Sequence, residues 1–271
     1  MKRREYLTAI AAVGFAGCLG DDGGETVDED PDEMLDVARN DFSEREYLTT
    51  LDYHEIDLFI GSEQLGTSVG MLAETETTTR HDLDDMAFKM DGSGSIELDG
   101  QSTTVDVEQY YLDGELHIND PHTGWQTHPE AEFGVGGDIE LAAFTDEELI
   151  TGEEIVERDG EYLITIEIDP DRHHEFFTAG IQNEMMQDVE FADFSQHTTI
   201  DTATMAVDPD TETFAWVEYE ATTTMDAAEM EELGMEPPAD DVEFSMTIET
   251  RIDFDEFDDP VEVSLPPTGP R

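Results

Sequence analysis

Histidine side chains are grouped at two points of the chain where imidazoles could bind a metal ion. His117, His122 and His128 lie close together in sequence, and His173 and His174 are adjacent. Neutral imidazoles are good ligands for zinc and copper. The spacings nevertheless match no established zinc pattern, and the adjacent pair would point about 100° apart on a helix. The histidines therefore predict no specific transition-metal site and no cofactor.

Acidic side chains carry little information about chemistry, because with 71 of them some pairs must lie close together by chance. Clusters such as Asp253, Asp255, Asp258 and Asp259 leave weak calcium or magnesium binding open, although the sequence of an EF-hand loop is absent. The run Gly92-Ser93-Gly94-Ser95 predicts a strand break rather than a nucleophile elbow. The sequence therefore predicts a protein that is not an enzyme. A hydrolase is the least favoured of the three functions considered, after the two binding or structural roles given below.

The charge balance of the chain excludes whole classes of partner. Its 271 residues include 71 acidic and 11 basic side chains, a formal net charge of −60. Nucleic-acid binding needs clustered Lys and Arg and is excluded, and docking on anionic headgroups is disfavoured. Hydrophobic residues make up 37% and alternate regularly, which argues against disorder. The composition resembles that of haloarchaeal proteins, because in molar salt a Debye length of about 3 Å screens such self-repulsion.

The first residues of the chain have the organisation of an export signal. Arg3 and Arg4 resemble the twin-arginine motif. The apolar run that follows is shorter than the roughly 20 residues needed to span a bilayer. The last three residues before Cys18 are Phe-Ala-Gly, which resembles a lipobox, in which the cysteine is lipidated and becomes the new N-terminus. We therefore predict that residues 1–17 are a twin-arginine lipoprotein signal peptide.

Cys18 is the single cysteine, so it excludes an internal disulfide framework. Lipidation would explain why the chain has this one thiol. The alternative is that Cys18 serves as a small apolar residue buried in the core. Residues 18–30 are rich in glycine and acid without periodicity and predict an acidic flexible tether. The predicted location is the extracellular face of the cell membrane, with Cys18 as the lipid anchor and with no identified protein partner.

Alternating apolar and polar residues predict a series of long strands. The clearest alternation runs from Phe244 to Phe254, with Ser245 to Asp253 on the other face. Hairpin turns are predicted at Asp113-Gly114 and at Asp208-Pro209-Asp210. Further strands are predicted at 56–60, at 86–90 and 96–98 on either side of the Gly-Ser-Gly break, and at 105–111, 162–168, 198–207, 213–225 and 261–265. Strands with one solvated face require an antiparallel sheet.

Three helices are predicted between these strands. Asp30-Pro31 combines an N-cap with a proline at the first helical position and starts the first helix. Thr145 and Glu148 resemble a capping box and start a short helix near Leu149. Asp169-Pro170 starts the third. We expect an α+β fold: one antiparallel sheet of many long strands, with helices covering one face.

This organisation resembles the LolA/LolB and LppX-type lipoprotein family. Five segments carry the resemblance: Val105–Leu116 with its paired tyrosines and Asp-Gly turn, Thr123-Gly124-Trp125, Gly152–Ile168 before the lid helix, the hairpin Thr204–Trp216, and the ending Phe254–Pro266. The resemblance implies that the sheet is a single curved antiparallel sheet, a half-barrel around an apolar cavity under a helical lid. We expect this domain to cover residues 31–266, with residues 267–271 as a C-terminal tail. The chain departs from the family in its acidity and in the inserted loop Asp226–Asp241.

The resemblance also implies a ligand site, since members of the family bind or move acylated lipids and lipoproteins. The predicted cavity lies between sheet and helices and is lined by Phe177, Ile181, Met185, Phe244, Met246, Ile248 and Ile252. We expect a non-catalytic, membrane-anchored lipoprotein that binds an apolar or lipid ligand. The alternative is a cell-envelope interaction or structural lipoprotein with a filled core and no small ligand, because a plain core needs the same residues.

Overall fold

The computed structural model describes most of the chain after residue 24. The described residues are 25–27, 29–62, 64, 66–83, 87–98, 100–120, 124–129, 149–169, 197–232, 237, 239–257 and 260–265. The helices are α1 (Pro31–Ser43) and α2 (Ala227–Glu232). The strands are β1 (Glu25–Thr26), β2 (Tyr47–Ser62), β3 (Thr67–Asp82), β4 (Ala87–Leu98), β5 (Gln101–Leu112), β6 (Glu115–Asp120), β7 (Gly124–Pro129), β8 (Ile150–Arg158), β9 (Glu161–Ile168), β10 (Thr198–Asp208), β11 (Thr213–Asp226) and β12 (Val242–Phe257).

The strands form one curved sheet in the order β1-β8-β9-β10-β11-β12-β2-β3-β4-β5-β6-β7. Every neighbouring pair is antiparallel, and the two end strands, β1 and β7, do not pair with each other, so the sheet is open. The predicted fold class, a single curved antiparallel sheet with helices on one face, is therefore confirmed.

The sheet has two chemically different faces. The even-numbered residues of β12 from Phe244 to Phe254 lie on the face that packs against the helices, which we call the core face. The odd-numbered residues from Glu243 to Asp253 lie on the opposite face. Because side chains alternate along a strand, the register assigns each residue of β2 to β5 to one of these faces.

Helix α1 begins where the sequence predicts. The Asp30 side chain accepts a hydrogen bond from the Asp32 backbone N–H at 3.1 Å. Phe42 packs edge-on against Phe214 and Phe254, with ring centroids 5.9 Å apart in both pairs. About one turn before Phe42, the Arg39 guanidinium donates to the Ile150 carbonyl at 2.6 Å. These contacts fasten the helix to the core face near β8 and β11.

Both predicted turns are present. Asp113 and Gly114 connect β5 to β6 with positive φ angles of 56° and 81°, as a tight hairpin turn requires. In the turn between β10 and β11, the Asp208 side chain accepts hydrogen bonds from the N–H groups of Asp210 and Thr211. An aspartate that bonds its own backbone in this way stabilises a turn.

The predicted break at Gly92–Ser95 is wrong, because β4 runs through it without interruption. A Cβ at Gly92 would lie 2.1 Å from the Glu76 carbonyl oxygen, and one at Gly94 would lie 2.7 Å from the Glu74 carbonyl oxygen. The glycines therefore allow the backbone of β3 to approach β4 closely, which is a recognised use of glycine inside a strand.

Three other local predictions are corrected. Leu149 lies in a turn and is followed directly by strand β8, not by a helix. Residues 261–265 belong to no strand. The predicted loop Asp226–Asp241 contains helix α2. The sheet also includes Glu25–Thr26, which pair with β8 inside the range predicted as tether.

The helix predicted after Asp169 falls on residues outside the described part of the chain, as do residues 1–24. Within the part that is described, no helix has the length and apolar character needed to cross a membrane.

Candidate functional site

The four predicted cavity residues of β12 share the core face but divide between two apolar clusters. Phe244, Met246 and Ile248 belong to a cluster covered by α2, which we call the α2 cluster. Ile252 belongs to the larger cluster around α1, which we call the α1 cluster. All four side chains are buried. Thr250 lies between the two clusters, so the four residues do not line one continuous apolar surface.

The remaining predicted site residues lie outside the described part of the chain. These are Phe177, Ile181 and Met185 of the predicted lid, the lipidation residue Cys18, and Arg3 and Arg4 of the export signal. Their roles stay predictions.

The α2 cluster continues across the core face as a strip of aliphatic side chains on β2, β3 and β4. The register places Ile248 beside Ile56, Ile56 beside Ala73, and Ala73 beside Ile96. The members of this apolar strip are Ile56, Leu58, Ile60, Val69, Met71, Ala73, Ile96 and Leu98.

Exposure rises along the apolar strip with distance from α2. Ile56, Leu58 and Ile60 are half-buried and pack against the α2 cluster. At the far side Val69, Ile96 and Leu98 are 42%, 37% and 47% exposed. Single exposed aliphatic residues are ordinary, but a contiguous patch that joins a buried cluster is typical of a binding surface.

Charge is segregated between the two faces of the same strands. On the opposite face, β2 to β5 carry Glu55, Asp57, Glu74, Glu76, Asp82, Asp91, Glu97, Asp106 and Glu108. On the core face, Asp52 is the one acidic residue that these four strands carry. In so acidic a chain, this neutral face is the chemically distinct part of the described surface.

A group of polar side chains crosses the core face between the α1 cluster and the apolar strip. This polar band consists of Asp52, His54, Thr75, Thr77, Thr79 and Thr250. The Asp52 carboxylate accepts hydrogen bonds from the hydroxyls of Thr79 at 2.8 Å and Thr77 at 3.3 Å. His54 Nδ1 lies 3.0 Å from Thr250 Oγ1.

Burial lowers the pKa of the His54 imidazole below its ordinary value, and the nearby Asp52 carboxylate opposes that shift. The imidazole is therefore neutral at pH 7. One ring nitrogen of a neutral imidazole donates a hydrogen bond and the other accepts one, so His54 can satisfy either kind of group next to Asp52.

The candidate metal ligands are not gathered into a site by the described residues. His117 is buried, and its Nδ1 lies 3.0 Å from Thr127 Oγ1. Asp253 accepts hydrogen bonds from Arg251. No group of three or more His, Cys, Asp or Glu side chains is placed to hold a metal ion within the described ranges. His122, His173, His174, Asp258, Asp259 and the His128 side chain lie outside them.

The chain also carries a sequence pattern that is typical of serine hydrolases. The run from Gly66 to Gly70 has the letters Gly-x-Ser-x-Gly, with Ser68 at the centre. In hydrolases this serine sits on a sharp turn from a strand into a helix. Ser68 instead lies in β3 directly after the hairpin from β2, exposed and opposite Gly61. The local structure is therefore not a nucleophile elbow.

Comparisons with known proteins give remote likenesses. No family model and no curated protein matches the chain. LprF from Mycobacterium bovis is similar at 10% identity and a TM-score of 0.45, over 91% of this chain and 100% of that one. A DUF1329 family protein from Desulfovibrio piger is 13% identical, with a TM-score of 0.25 over 84% and 94% of the two chains. A beta-barrel-like protein of domain of unknown function DUF1849 from Brucella abortus is 11% identical, with a TM-score of 0.28 over 77% and 100%. At this level of similarity the function has to be argued from the site itself.

Proposed function

We propose that this protein is a non-catalytic, membrane-anchored extracellular lipoprotein that binds the apolar part of a lipid on the apolar strip, beside the buried α2 cluster. The observation that carries the proposal is the exposure of Val69, Ile96 and Leu98 on a face whose neighbouring positions are uncharged.

The physical argument rests on the contrast between the two faces. Removing aliphatic surface from water is favourable by roughly 25 cal/mol of free energy for each Å² that is buried. Some salts at high concentration strengthen this hydrophobic contribution. High salt does not weaken it, whereas it does weaken the repulsion between charged groups. Acidic residues cover the opposite face of the same strands. A neutral, exposed face on such strands favours an apolar ligand.

The anchoring part of the proposal rests on the sequence. The order of twin arginines, short apolar run and lipobox supports lipidation of Cys18. A lipid anchor would hold the apolar strip near a supply of apolar ligands.

A filled-core envelope protein is the second candidate, and a specific observation favours it. The predicted lining residues Phe244, Met246, Ile248 and Ile252 are all buried within packed clusters. They act as core in the structure, so ligand binding depends on the apolar strip beside them.

Native mass spectrometry and lipid extraction of protein purified in high salt test the proposal. We expect a stoichiometric lipid on the wild type, lost in Leu98→Asp and retained in Phe59→Asp. Leu98 and Phe59 are similarly exposed, at 47% and 43%, but Phe59 lies on the opposite face. A folded wild type without lipid overturns the proposal and favours the second candidate. Equal loss in both variants overturns the assignment to the strip.

A further inference from the structure

We propose that the polar band binds the headgroup of an amphiphilic ligand, and that this headgroup is a hydrogen-bond donor, a hydroxyl or an ammonium. The inference rests on the proposed function and deepens it. The band lies at one end of the apolar strip on the same core face.

Asp52 is the residue that gives the band its preference. It is 8% exposed and is the one acidic residue that β2 to β5 carry on the core face. Its contacts within the described part of the chain come from the neutral hydroxyls of Thr77 and Thr79. A buried carboxylate is stable when hydrogen-bond donors or a cation surround it. A donor headgroup supplies one more such partner.

The residues between this buried carboxylate and the apolar strip are less buried than Asp52 itself. His54 and Thr75 are half-buried and directly opposed across β2 and β3. The next strand places Gly94 opposite Thr75 and Gly92 opposite Thr77, so β4 brings no side chain to the core face at these two positions. A headgroup that lies over Thr75 and Gly94 can therefore exchange hydrogen bonds with the neutral His54 imidazole and approach Asp52.

The length of the apolar strip matches an alkyl chain laid along the strands. His54 is followed on the same face by Ile56, Leu58 and Ile60. Residues on one face of a strand repeat every 6.8 Å or so, which places the ends of this three-residue row about 14 Å apart. A ligand with its headgroup at His54 would therefore extend its chain toward Ile60 and Val69.

The same arrangement selects against anionic headgroups. A carboxylate or phosphate beside Asp52 would place two like charges in a partly desolvated region, where their repulsion is stronger than in water. A hydroxyl or an ammonium has no such penalty. The difference predicts a rank order among amphiphiles that share one chain.

Displacement of N-phenyl-1-naphthylamine, a neutral apolar dye, from the mature chain in molar KCl measures this rank order. The competitors are decane, decanol, decylammonium and decanoate. We expect decanol and decylammonium to displace the dye at concentrations about tenfold lower than decanoate, since a difference of 1.4 kcal/mol corresponds to a factor of ten. In Asp52→Asn the advantage over decanoate should disappear, with decane on the same variant as the reference for binding of the chain alone.

Asp57→Asn is the matched control, because Asp57 lies on the same strand but is exposed on the opposite face. This variant should keep the wild-type order. If Asp52→Asn does not fold, as judged by circular dichroism, His54→Gln provides the second test and should reduce the advantage of decanol.

Dye binding with no dependence on headgroup overturns the headgroup site and leaves the proposed function standing. An order that is the same in Asp52→Asn and the wild type also overturns it. A wild type that binds no dye overturns both proposals.

Discussion

Glu249 of β12 and Glu55 of β2 are directly opposed across the two strands, so that two carboxylates face each other on the opposite face of the sheet. The row extends on both sides, because Glu220 is opposite Glu249 in β11 and Glu74 is opposite Glu55 in β3. Like charges directly opposed in a sheet are destabilising. Four neighbouring strands thus carry a row of glutamates whose repulsion salt can screen.

Neutralising the centre of this row should stabilise the protein in dilute salt. For Glu249→Gln we expect a gain of about 0.5 kcal/mol in the free energy of unfolding at low ionic strength, and a much smaller gain in molar KCl. Chemical denaturation at the two salt concentrations measures the difference. Glu97→Gln is the control, since Glu97 is exposed between Leu72 and Ser102. A gain that is equal at both salt concentrations would contradict the charge-repulsion explanation.

The same glutamates predict how stability changes with pH. Burial, followed by neighbouring carboxylates, raises the pKa of Glu249 and of Glu220 above the ordinary value of 4.5. Between the ordinary and the raised pKa, the folded state binds more protons than the unfolded state, so through these groups stability falls as pH rises. Acidification through that window should therefore raise the melting temperature of the wild type at low salt more than that of a Glu220→Gln and Glu249→Gln double variant. If acidification raises the melting temperature of the wild type and of the double variant equally, the protonation of Glu220 and Glu249 is not coupled to folding.

Arg251 is a cation on this acidic face and pairs with two of its carboxylates. Its guanidinium donates to Asp253 and Glu218 and lies 4.3 Å from the centre of the Trp216 ring. Replacement by methionine preserves much of the packing but removes the charge, the hydrogen bonds and the cation–π contact. We expect Arg251→Met to lower the free energy of unfolding by about 2 kcal/mol.

Thermal unfolding followed by tryptophan fluorescence measures this change. Arg158→Met is the matched control. Arg158 is 49% exposed and reaches the almost fully exposed Asp159 only at 4.0 Å, so this variant should unfold within a degree or two of the wild type. Equal destabilisation by both substitutions would show that the loss of any arginine is responsible, and not the loss of the Arg251 contacts with Asp253, Glu218 and Trp216.

The sequence predicts the elements that have strong periodicity. Strand β12 alternates over its whole length, and Asp30-Pro31 starts α1 with two independent signals. Strand β3 was missed because its second half is a run of threonines and glutamates without apolar alternation. Helix α2 was missed because it is short, although Asp226 and Glu229 bond each other's backbone as in a capping box, and that spacing is visible in the sequence.

The candidate site depends on register, which a single sequence does not reveal. Phe244, Met246 and Ile248 were predicted as lining because they share one face of a strand and the family resemblance implies a cavity over that face. The apolar strip instead requires that Leu58, Met71 and Leu98, from three strands, stand side by side. Asp52 likewise reads as one acid among 71 until pairing with β3 places two threonine hydroxyls against it.

Because β3 approaches β4 closely at Gly92, we predict that a larger residue at this position destabilises the protein. A Cβ at Gly92 would lie 2.1 Å from the Glu76 carbonyl oxygen and 2.7 Å from the Thr77 Cα, so backbone must shift to make room. We expect Gly92→Ala to lower the free energy of unfolding by about 2–3 kcal/mol. Gly70→Ala is the control, because its Cβ would meet no atom nearer than 4.0 Å. If chemical denaturation finds the two variants equally stable, the close contact is not a constraint on the sheet.

The membrane anchor is tested by changing its one thiol. Cys18→Ala removes the group to which lipid would be attached, so the exported protein should move from the membrane fraction to the medium. Two acyl chains give firm attachment whereas one binds only marginally, and a signal run this short cannot span a bilayer. Immunoblotting of the fractions, with the mass of the mature chain, measures both location and cleavage. Arg3→Lys with Arg4→Lys should instead retain the uncleaved precursor inside the cell, because the paired arginines are the feature that the export signal requires. A Cys18→Ala protein that has lost its signal yet stays on the membrane would contradict lipid anchoring at this residue.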